Sequence, residues 1–208
     1  MAGIFRRPYL TLALLLAGCA AGLSSSSALA ATGFSSGGGK GSGAKDWSMF
    51  IGGGLGRSSD TLGGAAQYTG WGWRFAMGLD YSLSPNVAVR TVASYSTFSL
   101  ANDANGSTRL ETAANSGAAG QAGMLFWGVF SVGGGVQNST FSTTTIAQNA
   151  AGTVRTMNGL LPFGYADLNF SFLPHFGLRF EGRYAVGSVS GVSVATGSFH
   201  SDFVFALY

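Results

Sequence analysis

Between Trp71 and Tyr81 the chain alternates with a period of two and never breaks step. Trp71, Trp73, Phe75, Met77, Leu79 and Tyr81 fall on one side, and Gly72, Arg74, Ala76, Gly78 and Asp80 on the other. Successive residues of a strand point to opposite faces, so this stretch is a strand with one apolar face and one small or charged face. A strand of a soluble sandwich also alternates. The side that holds the bulk separates the two cases. Here the large residues cover a wide surface, and glycine, alanine and charges sit where a narrow interior must be filled. That is the outside-in pattern of a transmembrane barrel.

The strand ends in a turn that the chain uses twice. Asp80-Tyr81-Ser82-Leu83-Ser84-Pro85-Asn86-Val87-Ala88-Val89-Arg90 is matched by Asn169-Phe170-Ser171-Phe172-Leu173-Pro174-His175-Phe176-Gly177-Leu178-Arg179. Ser82 pairs with Ser171, Pro85 with Pro174 and Arg90 with Arg179. Two strand–turn–strand units of one design imply an antiparallel meander. A third hairpin is expected from Gly120–Trp127 and Val129–Gln137, with its turn near Trp127-Gly128. Its facing stays open, because Met124-Leu125-Phe126-Trp127 is continuously apolar.

Composition says what surrounds the meander. Only 9% of the 208 residues are charged, against about a quarter in ordinary soluble domains. Aromatics make up 13% and glycine 34 residues, which does not suit a disordered chain. The net charge of +3 comes without a Lys/Arg cluster, so no nucleic-acid footprint is present. With Cys19 as the single cysteine, an intrachain disulfide is impossible.

Residues 1–30 read as an export signal, with Arg6 and Arg7 before an apolar run from Leu10 to Ala17. The run is shorter than the roughly 20 residues of a membrane helix. Two cleavage sites compete: Leu16-Ala17-Gly18-Cys19 resembles a lipobox that would lipidate Cys19, and Ala28-Leu29-Ala30 is an A-x-A site before Ala31. Residues 31–45 are a Gly/Ser-rich linker, and the folded part, 46–208, begins at Asp46. Trp47, Met49, Ile51 and Leu55 share one face of its first strand. Polar stretches at Arg57–Gln67, Leu100–Ser116, Asn138–Gly152 and Ser190–Gly197 read as loops. Strand after strand, the periodicity gives about eight. The expected fold is therefore all-β: an eight-stranded antiparallel up-and-down transmembrane β-barrel, with short turns at one end and long polar loops at the other.

Charges on the small-residue face are Arg74, Asp80, Arg90, Asp167, Arg179, Glu181 and Arg183. An Arg facing lipid at the midplane costs about 2–4 kcal/mol, so these should point inward and pair as a charge network that plugs the lumen. Trp47, Trp71, Trp73, Tyr81, Trp127 and Tyr208 are the expected interfacial aromatic girdle. Neither Gly52-Gly53-Gly54 nor Gly133-Gly134-Gly135 is a phosphate loop, since no Lys-Ser/Thr or helix start follows. One Cys and two His, His175 and His200, leave no metal constellation, and no cofactor is expected. His175 reads as a solvated turn residue beside Pro174.

From Asp46 to Tyr208 the chain resembles the small eight-stranded outer-membrane proteins of the OmpA-like, OmpX-like and Ail-like kind. The resemblance rests on architecture and the two Pro-turn hairpins. It implies a bacterial outer-membrane location, contact with membrane lipid and lipopolysaccharide, a monomer, and assembly through the C-terminal strand by the barrel-assembly machinery. Members end in an aromatic residue with alternating apolar residues before it; Tyr208, Ala206 and Val204 match, and Asp202 departs. A register set by Phe203, Phe205 and Leu207 would instead turn Asp202 and His200 inward. The function implied is structural or surface-interactive (adhesion, envelope integrity), through polar loops, without enzymatic activity. Two alternatives stand. Some small barrels are lipid A deacylases using a His and a Ser two apart on a strand, which Ser198 and His200 resemble in reversed order; residues so spaced lie about 6.6–6.8 Å apart, long for a direct hydrogen bond. The other alternative is a lipidated, soluble, lipocalin-like β-barrel.

Overall fold

The structure, a computed structural model, describes residues 47–64, 66–102, 110–146 and 153–207. The signal segment with Cys19, the linker and Tyr208 lie outside the described residues. Eight strands follow in order: β1 Trp47–Leu62, β2 Ala66–Ser84, β3 Val87–Asn102, β4 Leu110–Phe126, β5 Phe130–Ile146, β6 Thr153–Leu173, β7 Phe176–Val189 and β8 Val192–Leu207. Each pairs antiparallel with the next, and β8 closes on β1, giving an up-and-down barrel.

Alternation decides which way each side chain points. On β2 the six large residues from Trp71 to Tyr81 are exposed, and Arg74, Ala76, Gly78 and Asp80 are buried. On β8 Phe199, Phe203, Phe205 and Leu207 face out, with His200, Asp202, Val204 and Ala206 inside. The C-terminal alternation matched on Val204 and Ala206 is therefore corrected: those two line the lumen, because the other register would put His200 and Asp202 into lipid. Within the open stretch of β4, Leu125 is buried and its neighbours Met124 and Phe126 lie on the other face. A lipocalin-like barrel would be polar outside and apolar within; here the large apolar residues are outside and the charges inside. From Tyr81 to Trp71, ten steps of about 3.3 Å at a tilt near 45° give about 23 Å, close to the apolar band of such barrels.

The end of the barrel that carries the start of β1 and the finish of β8, called the near end, has three tight turns. Two are the proline turns, and both ladders shift register at the same place, between Ser82 and Ser84 in β2 and between Ser171 and Leu173 in β6. The third places Trp127 and Gly128 at positive φ (52° and 69°).

At the far end the expected long loops are largely strand. The ladder runs through 57–62 and 66–67 with only three residues between β1 and β2, and β5 continues to Ile146. β7 and β8 are joined by Ser190 and Gly191 alone, both at positive φ as a two-residue hairpin requires. The Leu100–Ser116 stretch keeps strand to Asn102 and from Leu110. Serine and threonine there mark a strand face that has left lipid for water, and threonine suits a strand well. One seam interrupts the closure. β6 pairs with β7 only as far as Phe163–Ala185, next to Pro162, which has no N–H to give. Beyond it, side chains take over: Leu161 lies against Gly187, Val189 against Gly159, and the Ser190 hydroxyl bonds to the Asn158 backbone.

Candidate functional site

A layer of charges lies inside the barrel. Arg74 comes from β2, Arg90 from β3, Arg179 and Arg183 from β7; Asp80 from β2, Asp167 from β6, Glu181 from β7 and Asp202 from β8. All eight side chains are buried. Four cations against four carboxylates leave the layer neutral. Asp202 is the member that the seven sequence-selected charges lacked. Its signal was the strict alternation with Phe203 and Phe205.

Some pairs join neighbouring strands and others cross the lumen. Arg90 grips Asp80 through two bonds of 2.8 Å and reaches Asn169 at 2.9 Å and Asp167 at 3.4 Å. Arg74 holds Glu181 in a fork at 2.6 and 3.1 Å and lies 3.5 Å from Asp202. Arg179 bonds Asp202 at 2.8 Å, and Arg183 bonds Glu181. Neutral side chains complete the fit: Gln121 donates to Glu181 at 2.9 Å and accepts from Arg183, which also reaches Ser94 at 2.9 Å. Gln121 lies in the stretch whose facing the sequence left open.

Rings pack against the charges. The Phe50 centroid lies 5.0 Å from the Arg90 guanidinium carbon and 5.3 Å from that of Arg179, and Phe163 stands 4.8 Å from that of Arg183. Toward the far end a buried apolar cluster including Phe98, Phe141, Leu161 and Phe163 fills the lumen. Inward glycines make the room: a Cβ at Gly72 would meet the Phe98 ring at 2.7 Å, and one at Gly56 would meet His200 Nδ1 at 2.7 Å. Each charge has a partner of opposite sign and the layer is walled by packed rings, so it can hold strands together.

His200 lies in this wall, 1% exposed, its ring 5.5 Å from that of Phe98. Its Nε2 is 3.2 Å from Ser198 Oγ, so the expectation that the pair is too far apart is corrected. Backbone spacing sets the Cα separation, and side chains leaning along the strand shorten it. No third group orients the ring. Asp202, on the same face, is taken by Arg179 and Arg74, and Nδ1 has no hydrogen-bond partner among the described residues. His175 is exposed in the Pro174 turn, where its carbonyl accepts from Ala206. Among the described residues no group of three or more His, Cys, Asp or Glu converges.

The aromatic residues sit at two heights on the outer wall. Trp47 and Tyr81 are cross-strand partners at the near end, where Trp127 occupies the turn, and Trp71 and Trp73 lie toward the far end. Tyr95 joins Trp73, ring centroids 5.8 Å apart.

No family model and no curated protein matches the chain. Solved structures do. Ail, the attachment invasion locus protein of Yersinia pestis, in complex with the heparin analogue sucrose octasulfate, is 13% identical, with a TM-score of 0.51 over 77% of this chain and 99% of that one. Neisserial surface protein A is 13% identical over 76% and 96%, TM-score 0.46. The outer membrane protein OprG from Pseudomonas aeruginosa is 13% identical over 79% and 97%, TM-score 0.44. The chain thus has the fold of the small outer-membrane β-barrels.

Proposed function

We propose that this chain is an outer-membrane barrel closed to solutes, which works at the cell surface through a polar collar built from its own strands. The observation that carries the reading is the change of outward face within continuous strands. On β1 Leu55 gives way to Arg57, Ser59 and Thr61; on β5 Val136 gives way to Asn138, Thr140 and Ser142. Strands of 14 to 21 residues exceed the about 9–11 needed to cross, and the surplus is at the far end. We place that end outside the cell, and the near end, with its tight turns, in the periplasm.

The girdle residues hold the barrel at the two interfaces, lipid and lipopolysaccharide surround it as a monomer, and the final strand serves assembly. The polyanion in the Ail complex supports a surface-binding role for a barrel of this fold. Among the described residues the collar's outward cation is Arg57, amid Ser, Thr and Asn, so the surface we propose it meets is a neutral, hydroxyl-rich one.

A hydrolytic role for Ser198 and His200 is less well supported. Both face the lumen, and Asp202 is committed to arginines.

Shortening the β5–β6 hairpin tests the proposal. Ser142 and Thr156 are register partners, so joining them through a short Asn-Gly turn removes the top of that hairpin, keeps Phe141 and Met157 in the lumen and leaves the ladder below in step. Attachment of barrel-expressing cells to neutral glycan-coated surfaces should fall, with the heat-dependent gel shift of the folded barrel retained. Unchanged attachment with a folded variant would remove the collar from the function.

A further inference from the structure

One carboxylate stands apart from the charge layer. Asp60 on β1 is fully buried, and none of the ion pairs among the described residues includes it. Its groups of contact are neutral. The Ser58 hydroxyl donates to one oxygen at 2.7 Å and the Asn115 amide to the other at 2.8 Å. Thr196 is its direct partner on β8. The group also holds two oxygens with no hydrogen bond of normal geometry, Asn115 Oδ1 and Thr196 Oγ1, on side chains 1% and 6% exposed. Leu62, two residues along on the same inward face, belongs to the far-end apolar cluster.

A buried carboxylate without a countercharge is unfavourable, and neutral hydrogen bonds offset only part of the cost. Spare oxygens beside it are the donor set that hard cations take. Charge decides the valence. One carboxylate and neutral oxygens are neutralised by a single positive charge, whereas a divalent ion would leave a net charge in an apolar surround.

We propose that Asp60, Ser58, Asn115 and Thr196 form a lumenal binding site for a monovalent hard cation of the sodium class. The ion ties β1, β4 and β8 together where the charge network does not reach. The site is independent of what the collar binds.

The test compares the refolded full-length barrel in sodium chloride and in choline chloride at equal ionic strength, reading the midpoint of the heat-dependent gel shift and the sodium NMR line width. Sodium should raise the midpoint saturably and broaden the line. Asp60→Asn, which neutralises the site in place, should lose both responses and melt above the parent in choline. Thr196→Val should need about tenfold more sodium for half the effect, through loss of one oxygen. Equal midpoints in sodium and choline would overturn the proposal. So would a sodium response that survives in Asp60→Asn, or a parent midpoint that follows pH alone, which would make the neutralising ion a proton.

Discussion

The two proline hairpins, β2–β3 and β6–β7, are built alike and wired differently. Both break register two residues after the matched serine, and both carry an inward arginine, Arg90 and Arg179, at the same distance past the turn. Opposite Arg90 stands Asp80, and opposite Arg179 stands Asn169. With a carboxylate in its own hairpin, Arg90 is satisfied locally by a fork. Arg179 has the neutral Asn169 opposite it and pairs instead with Asp202 on the next strand, β8. Asn169 turns to accept from Arg90 across the lumen. One substitution between repeats thus converts an internal staple into a tie to the strand that closes the barrel.

The largest effect should come from cutting that tie. Asp202→Ala removes the only ion pair of Arg179 among the described residues and the second carboxylate of Arg74. Removing one partner of a buried pair typically costs about 3–5 kcal/mol. Urea unfolding of the vesicle-inserted barrel should show a loss of that size. Asp80→Asn should cost less, about 1.5–3 kcal/mol as charged hydrogen bonds are lost, because Arg90 keeps Asn169 and Asp167. If Asp80→Asn proved the more damaging, the local staple would be the stronger element and the contrast would be inverted.

Rewiring sharpens the comparison. Asn169→Asp gives Arg179 a carboxylate opposite it on the hairpin, as Arg90 has. Placed in the Asp202→Asn background, it should recover part of the lost stability, offset by the bond that Asn169 Nδ2 now donates to Asp167 at 2.7 Å, with a coupling of about 0.5–3 kcal/mol between the two sites. Additive losses in the double-mutant cycle would mean that Arg179 cannot turn back, and that its partner is fixed by packing on Phe50.

How much of this could be read beforehand depends on range. Alternation is local, so the inward course of Arg74 and Asp80 was written in Trp71–Tyr81, and the matched hairpins were visible as a repeat. The strand extents were not, since Ser59, Thr61, Thr140 and Ser142 look like loop residues until the outer face is known to leave lipid there. Partnerships were the least accessible. Arg179 meets Asp202 only because β7 pairs with β8 in a particular register, and Arg74 meets Glu181 only across a closed lumen. Composition near either residue carries neither fact. Ser198 and His200 failed for a smaller reason: backbone spacing was taken for side-chain spacing.

The smallest expected effect is the one that isolates wiring from frame. Pro85 and Pro174 restrict the unfolded chain at equivalent points of equivalent turns. Where the native backbone tolerates either residue, exchanging Pro for Ala costs about 0.4–1 kcal/mol through the unfolded state. Pro85→Ala and Pro174→Ala should therefore cost the same, within the error of a urea titration. Equal losses would show that the two turns are interchangeable scaffolding and that the hairpins differ in their buried charges alone. A clearly larger loss at Pro174 would place part of the difference in the turn itself. The carbonyl after each proline accepts an amide from the neighbouring chain, Asn86 from Trp127 and His175 from Ala206 of β8, so the two turns differ in which segment they hold, and only the second holds the closing strand.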